Sequence, residues 1–352
     1  MSETRDEDQN IEKVGGIPVR SAVEEFSSDE MLVCNHCGRK VPPNRLDCLY
    51  CGKRIELADD QKERVRPIVR QPEDGERGYS IVAFPSDVTS VESLVNVVAE
   101  CSRLDLETAQ KLIAGTSAVP FARGGDREVV ESAARAFDGV GANTRVFSDE
   151  KFLVGEPQIR IKGIFEFDDG QIALIRFGTD ELIVLGEEEV VMIVEGSSFE
   201  TRLESKVKHK RKGTEKLLDE SETAQEDMVL DLYFADSPVG CRIVPTGFDF
   251  SYLEDRKAIS TTENMALTKD FLTRRFPNAV MDDGYRTLRS AISEIWGYGT
   301  SETTAAMKHR GFGSFERKKV FTRNNHEQFL RYSRLQWFWR HGETGAKDET
   351  QE

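Results

Sequence analysis

The stretch "HEQFLRYSRLQWFW", residues 326–339, decides how the carboxyl-terminal half is built. It belongs to a region, Lys308–Arg340, with nine Lys or Arg against two Glu, in a chain whose net charge is −15. Phe312, Phe315, Phe321, Phe329, Tyr332 and the run Trp337, Phe338 and Trp339 are interleaved with the cations. Basic residues mixed with aromatics can grip phosphates and stack bases. The same letters also describe an amphipathic helix whose rings pack on a sheet while its arginines pair with the chain's own acids. Three consecutive rings are costly to leave in water, which favours the helix.

Working outward, residues 157–340 read as one β-rich domain with covering helices. "IRIKGIFEF" and "QIALIRFG" flank Asp168-Asp169-Gly170, a hairpin signal. "ELIVLG" and "VVMIVEG" follow, then "MVLDLYF" and "CRIVPTGFDF" as another hairpin. The expected product is an antiparallel sheet. Segment 205–227 reads as a loop that opens on a basic run, Lys206, Lys208, Lys210, Arg211 and Lys212, and turns acidic. Such a run can hold nucleic acid or anionic lipid, or simply be a solvated surface. "TENMALTKDFLTRRFP" and "DGYRTLRSAISEIWGYG" carry helical periodicity and should cover the sheet.

Residues 79–148 have a different grammar. "YSIVAF" is a strand, "SVESLVNVVAECSR" a helix with Val91, Leu94, Val95, Val98 and Cys101 on one stripe, and "DLETAQKLIAGTS" a second helix capped by Asp105. "AVPFAR", "DREVVESAARAFDGVG" and "ANTRVF" complete β-α-α-β-α-β. The segment resembles the carboxyl-terminal domain of the bacterial ribosomal stalk protein, a fold shared with the Clp-protease adaptor ClpS. "LVNVVAECSRLDLETAQKLI", "VPFARGGDREVVESAARAFDGVGA" and "NTRVF" carry the resemblance. It implies a fold rather than recruitment of translational GTPases. Where that family places basic docking residues, this chain has Val91, Asn96, Ala99, Glu107 and Gln110.

Toward the amino terminus, Cys34, Cys37, Cys48 and Cys51 form C-x2-C-x10-C-x2-C, with Gly38 and Gly52 after each pair. Two knuckles of this spacing can bring four thiolates around one ion, as in closed structural zinc sites. Residues 31–56 resemble the zinc-ribbon family, which implies a structural Zn2+. Iron in a rubredoxin-like site fits the same ligands. Two disulfides, or four unrelated cysteines, are the other readings, and His36 inside the first knuckle is the alternative ligand. A closed site has no open position for catalysis, so the ion replaces a core that so short a segment cannot build. Arg39, Lys40, Arg45, Lys53 and Arg54 make the ribbon basic.

The expected layout is therefore an α+β multidomain chain. Residues 1–30 form a disordered acidic amino terminus, 31–56 a ribbon, 57–78 a linker, 79–148 the stalk-like domain, 157–340 the β-rich domain and 341–352 a disordered tail. No apolar run is long enough to span a bilayer and no secretory leader is visible, so no membrane partner and a cytoplasmic location are expected. P-loop, G-x-G-x-x-G, G-x-S-x-G and H-E-x-x-H patterns are absent. The composite expectation is a non-catalytic zinc-binding adaptor that docks protein partners through the ribbon and the stalk-like module. One alternative is a nucleic-acid-binding protein using the ribbon and the basic-aromatic carboxyl terminus. A second is an enzyme with a site in the carboxyl-terminal domain.

Overall fold

A computed structural model describes residues 13–14, 17–18, 26–28, 30–57, 61, 65–72, 76–85, 90–210, 215–309 and 314–341. Side chains are described throughout these except over 13–14, 17–18, 206–210, 215–220, 305–309 and 314–317. The expected disorder of 1–30 and 341–352 falls mostly outside the described residues. The chain forms two compact units, Met1–Arg64 and Val65–Glu352.

The first unit holds two small antiparallel pairs: β1 (Lys13–Val14) with β2 (Ile17–Pro18), and β3 (Leu32–Val33) with β4 (Lys40–Val41). Its interior is small. Leu32, Val41, Leu46 and Ile55 are buried beside Cys34 and Cys48.

The second unit starts with the expected β-α-α-β-α-β order. It comprises β5 (Tyr79–Phe84), α1 (Val91–Ser102), α2 (Leu106–Ile113), β6 (Val119–Gly124), α3 (Arg127–Asp138) and β7 (Asn143–Ser148). Asp105 caps α2 by accepting from the Thr108 amide, and Asp126 caps α3 through the Glu128 and Val129 amides. The three strands pair antiparallel in the order β6-β5-β7. Cys101 is fully buried on the apolar stripe of α1.

The rest is one large sheet ordered β10-β9-β8-β13-β12-β11-β16-β15. Its strands are β8 (Ile159–Glu166), β9 (Ile172–Arg176), β10 (Leu182–Leu185), β11 (Val190–Lys210), β12 (Glu215–Phe234), β13 (Ser237–Ile243), β15 (Gly299–His309) and β16 (Ser314–Asn324). The three-residue β14 (Val280–Asp282) joins the root of β11. The sheet is mixed rather than antiparallel, because β13 pairs parallel to β8 and β14 parallel to β11. Helices α4 (Thr261–Arg275) and α5 (Tyr285–Ile292) fall where periodicity places them.

Two further expectations need correction. Segment 205–227 is not a loop: its described residues continue β11 and β12, which pair from Val190↔Phe234 out to His209↔Glu215. A charged strand with no core to face carries no apolar alternation, so it imitates a loop. The linker over 57–78 is also too long. Val65 and Val69 are buried, and the Val69 amide donates to the Cys101 carbonyl (2.8 Å). Two apolar residues among many charges suffice to pin that strap.

One core crosses the segment between 148 and 157, where the sequence suggests a division. The cause is α6 (His326–His341), whose residues Gln328–Trp337 are all buried. One side meets the small sheet. Gln336 accepts from the Ala118 amide (3.1 Å) and donates to its carbonyl (2.7 Å), and Phe338 stands edge-on to Phe147. The other side meets the large sheet. Ser333 donates to Asp231 (2.8 Å) and accepts from Tyr233 (2.8 Å), and Trp337 donates to the Phe234 carbonyl (2.8 Å). The Arg334 guanidinium donates to the carbonyls of Phe152, Leu153 and Glu156 in the crossing segment. A second core lies on the opposite face of the large sheet, where Ile193, Leu230 and Leu232 pack with Met265 and Leu272 of α4.

Gly196 on β11 lets α6 approach: a Cβ there would lie 2.1 Å from a ring carbon of Phe329. Gly196→Ala should therefore lower unfolding free energy by roughly 1–3 kcal/mol or more in a denaturant titration. Asp149 sits between Arg123 (2.6 Å) and Arg331 (3.5 Å). Desolvation opposes its ionisation, yet the two guanidinium groups win and hold its carboxyl below the usual range. A folded value below the unfolded one of about 3.9 means that the pair stabilises above that pH. That stability drains as pH falls through the lower folded value. Asp149→Asn should flatten this acid limb when stability is measured against pH.

Candidate metal centre

The two knuckles are built alike. In the first, the Gly38 amide donates to the Cys34 carbonyl (2.8 Å) and the Cys34 amide to the Arg39 carbonyl (3.0 Å). In the second, the Gly52 amide donates to the Cys48 carbonyl and the Cys48 amide to the Lys53 carbonyl, both at 2.9 Å. Each turn needs a left-handed residue, supplied by Gly38 (φ 67°) and Gly52 (φ 70°). The β3–β4 pair closes the first knuckle and the Ile55 amide's bond to the Leu46 carbonyl (2.8 Å) closes the second, while the Asn35 side-chain amide donates to the Glu56 carbonyl (3.1 Å) from one to the other.

The result is a single group of four sulfurs, all within 4.8 Å of one another. Cys34 Sγ lies 3.7 Å from Cys51 Sγ, and Cys37 Sγ lies 3.6 Å from Cys48 Sγ. A disulfide needs about 2.05 Å, so neither contact is one. A tetrahedron with Zn–S bonds of about 2.3 Å has edges of about 3.8 Å, close to both distances. The donor set and its spacing fit one tetrahedral thiophilic ion. His36 is exposed and is not part of the group.

The thiols would not ionise independently. The Arg39 amide lowers Cys37, but desolvation and the neighbouring sulfurs outweigh it and push Cys37 up to about 11. Desolvation raises Cys48, but the Tyr50 and Cys51 amides outweigh it and hold Cys48 near 6. Once one thiolate forms, the next costs more, unless a cation shares the site. The knuckles also present apolar surface. Val33, Leu49 and Tyr50 are exposed, and the Arg39 guanidinium lies 4.8 Å over the Tyr50 ring.

The other sequence-singled residues are placed differently. Arg331, Arg334 and Trp337 are buried, and Arg340 pairs with Asp282 (3.0 Å), so α6 does not offer them as a basic-aromatic platform. A cleft of about 450 Å³ gathers Gln158, Arg160, Arg242, His326 and Glu327. Arg242 is bidentate to the buried Asp231 (2.7 Å twice), Arg160 donates to the Thr246 carbonyl, and Glu327 pairs with Arg331 (3.4 Å). This polar cluster escaped the sequence reading because its members come from segments far apart in the chain.

Comparison with protein families, curated proteins and solved structures finds no match for this chain.

Replacing Cys34, the most enclosed of the four sulfurs, should remove the bound metal and loosen residues 30–55. Elemental analysis of Cys34→Ser checks the first effect and amide hydrogen exchange the second. The unit from Val65 onward should keep its protection, because its cores contain none of these residues.

Proposed function

We propose that the chain is a non-catalytic, zinc-binding adaptor that docks a protein partner through its amino-terminal ribbon and its β-α-α-β-α-β module. The observation that carries this reading is the closed four-sulfur group, which leaves no donor position open to a substrate and makes the ion a structural part. The ion would hold rigid a knuckle whose Leu49 and Tyr50 stand in water beside Arg39. An exposed tyrosine next to an arginine has the composition of an interface centre, and Leu49 adds apolar area beside it. A short ribbon cannot immobilise such a tip by packing alone, so metal binding and docking would be coupled.

The β-α-α-β-α-β module enters this proposal through its element order, which is that of the stalk and ClpS domains it resembles. Its first two helices begin at Val91 and Leu106, both about half exposed. Those two positions would give a partner apolar contact in place of the basic face used by the stalk family. Zinc is favoured over iron because the proposed role needs no redox change, and both accept four thiolates.

The test is affinity capture with the intact protein and with Leu49→Ala/Tyr50→Ala, each carrying its full metal equivalent. A partner held by the native ribbon should be lost or weakened roughly tenfold or more by the double variant, as for an interface hot spot. Identical capture by both proteins would remove the ribbon from the docking surface.

A further inference from the structure

The strands β11 and β12 are 21 and 20 residues long, about four times an ordinary strand. Only their roots lie in the core. Beyond Ser198, β12, β11, β16 and β15 continue as a four-stranded antiparallel wing. Among its residues with described side chains, Val320 alone is buried. The hydrophobic effect therefore does not explain why the wing is so long.

Its register explains more. Lys206, Lys208 and Lys210 alternate along β11, so they share one face at a spacing of about 7 Å. Pairing sets Lys318 opposite Lys206 and Lys216 opposite Lys208. Glu316, the other neighbour of Lys208, is itself paired with Lys308. Two hairpins far apart in sequence, β11–β12 and β15–β16, thus place six lysines on one face. The acids in register with them there are Asp219 and Glu316. Lys318 also reaches inward to Glu204 (2.5 Å). Two of the cross-strand neighbours, Lys206 with Lys318 and Lys208 with Lys216, are thus cations in direct register.

The whole chain is acidic, with 63 Asp or Glu against 48 Lys or Arg, and should repel polyanions. The wing avoids this by distance. From Phe199 to Lys206 is about 24 Å along the strand at about 3.4 Å per residue. The Debye length in physiological salt is about 8 Å, so the outer wing is screened from the acidic body.

We infer that this lysine face of the outer wing binds the phosphate backbone of nucleic acid. A linear row of cations along a strand suits a linear polyanion. A bilayer would call for apolar anchors among the charges, and the apolar residue in register on the lysine face is Ala305, opposite Lys318, which is too small to serve as one. The contacts are to phosphate, so binding is expected without base preference.

The experiment is fluorescence anisotropy of the intact, metal-loaded protein with a short labelled duplex and a short labelled single strand, from about 50 to 200 mM salt. Binding should weaken linearly in log–log form. Lys206→Gln/Lys208→Gln/Lys210→Gln should weaken low-salt binding roughly tenfold or more and reduce the salt slope by about 3. Because three changes on one strand can disturb folding, Lys216→Gln/Lys308→Gln on the flanking strands is the second variant, with a slope loss of about 2. Circular dichroism checks both folds. Four outcomes overturn the inference: no binding by the intact protein at low salt, unchanged slopes in folded wing variants, or loss of binding on Arg39→Gln/Lys40→Gln in the ribbon but not in the wing. The fourth is retention on phosphatidylserine vesicles that the oligonucleotides cannot displace.

Discussion

The second unit depends on a helix that is buried along ten consecutive residues and is nevertheless half polar. Gln328, Arg331, Ser333, Arg334 and Gln336 of α6 are all enclosed, between one sheet and another. Unpaired, each would cost a few kcal/mol. Their partners are specific: a backbone amide and carbonyl at Ala118, two aspartates at 149 and 231, and three carbonyls in the segment joining the sheets. Apolar packing alone would let the helix slide or turn. These bonds are satisfied in one register, so they fix how the two sheets face each other.

The same logic accounts for the polar residues set into the large sheet. Asp231 is wholly enclosed on β12, yet it accepts two bonds from Arg242 and one from Ser333. Asn325, just before α6, ties the Ser197 carbonyl (2.7 Å) and the Phe199 amide (2.9 Å) of β11 to the helix. Asp282 on the short β14 accepts from Tyr332 (2.7 Å) and Arg340. Polar groups thus hold α6 to three strands of the sheet, and the rings of Phe329, Tyr332 and Tyr285 fill the space between.

The amino-terminal unit solves the opposite problem. It has too little apolar surface for a core, and four sulfurs converge where one would otherwise be. Its local bonds are strong enough to shape each knuckle, but four thiolates at this spacing repel one another. A cation at the centre would make the arrangement favourable. The wing is a third case, in which cross-strand backbone bonds carry the structure and ion pairs such as Arg202–Glu204 and Lys318–Glu204 lie along it.

Much of this was legible in the letters. The ligand set follows from two C-x2-C-G pairs, because spacing alone limits which sulfurs can meet. The β-α-α-β-α-β order follows from helical stripes and from caps such as Asp105, which are local effects. The helix over 326–339 and its self-paired arginines follow from the cost of exposing three rings. Other features were not legible. The parallel contacts of β13 and β14 depend on which strands come to lie side by side. The wing depends on β16 finding β11 more than a hundred residues away in the sequence. Local conformation and the grouping of the four sulfurs act over a few residues, so the letters carry them. Which lysines share a face and which buried polar groups meet depends on long-range register, which a one-dimensional pattern does not carry.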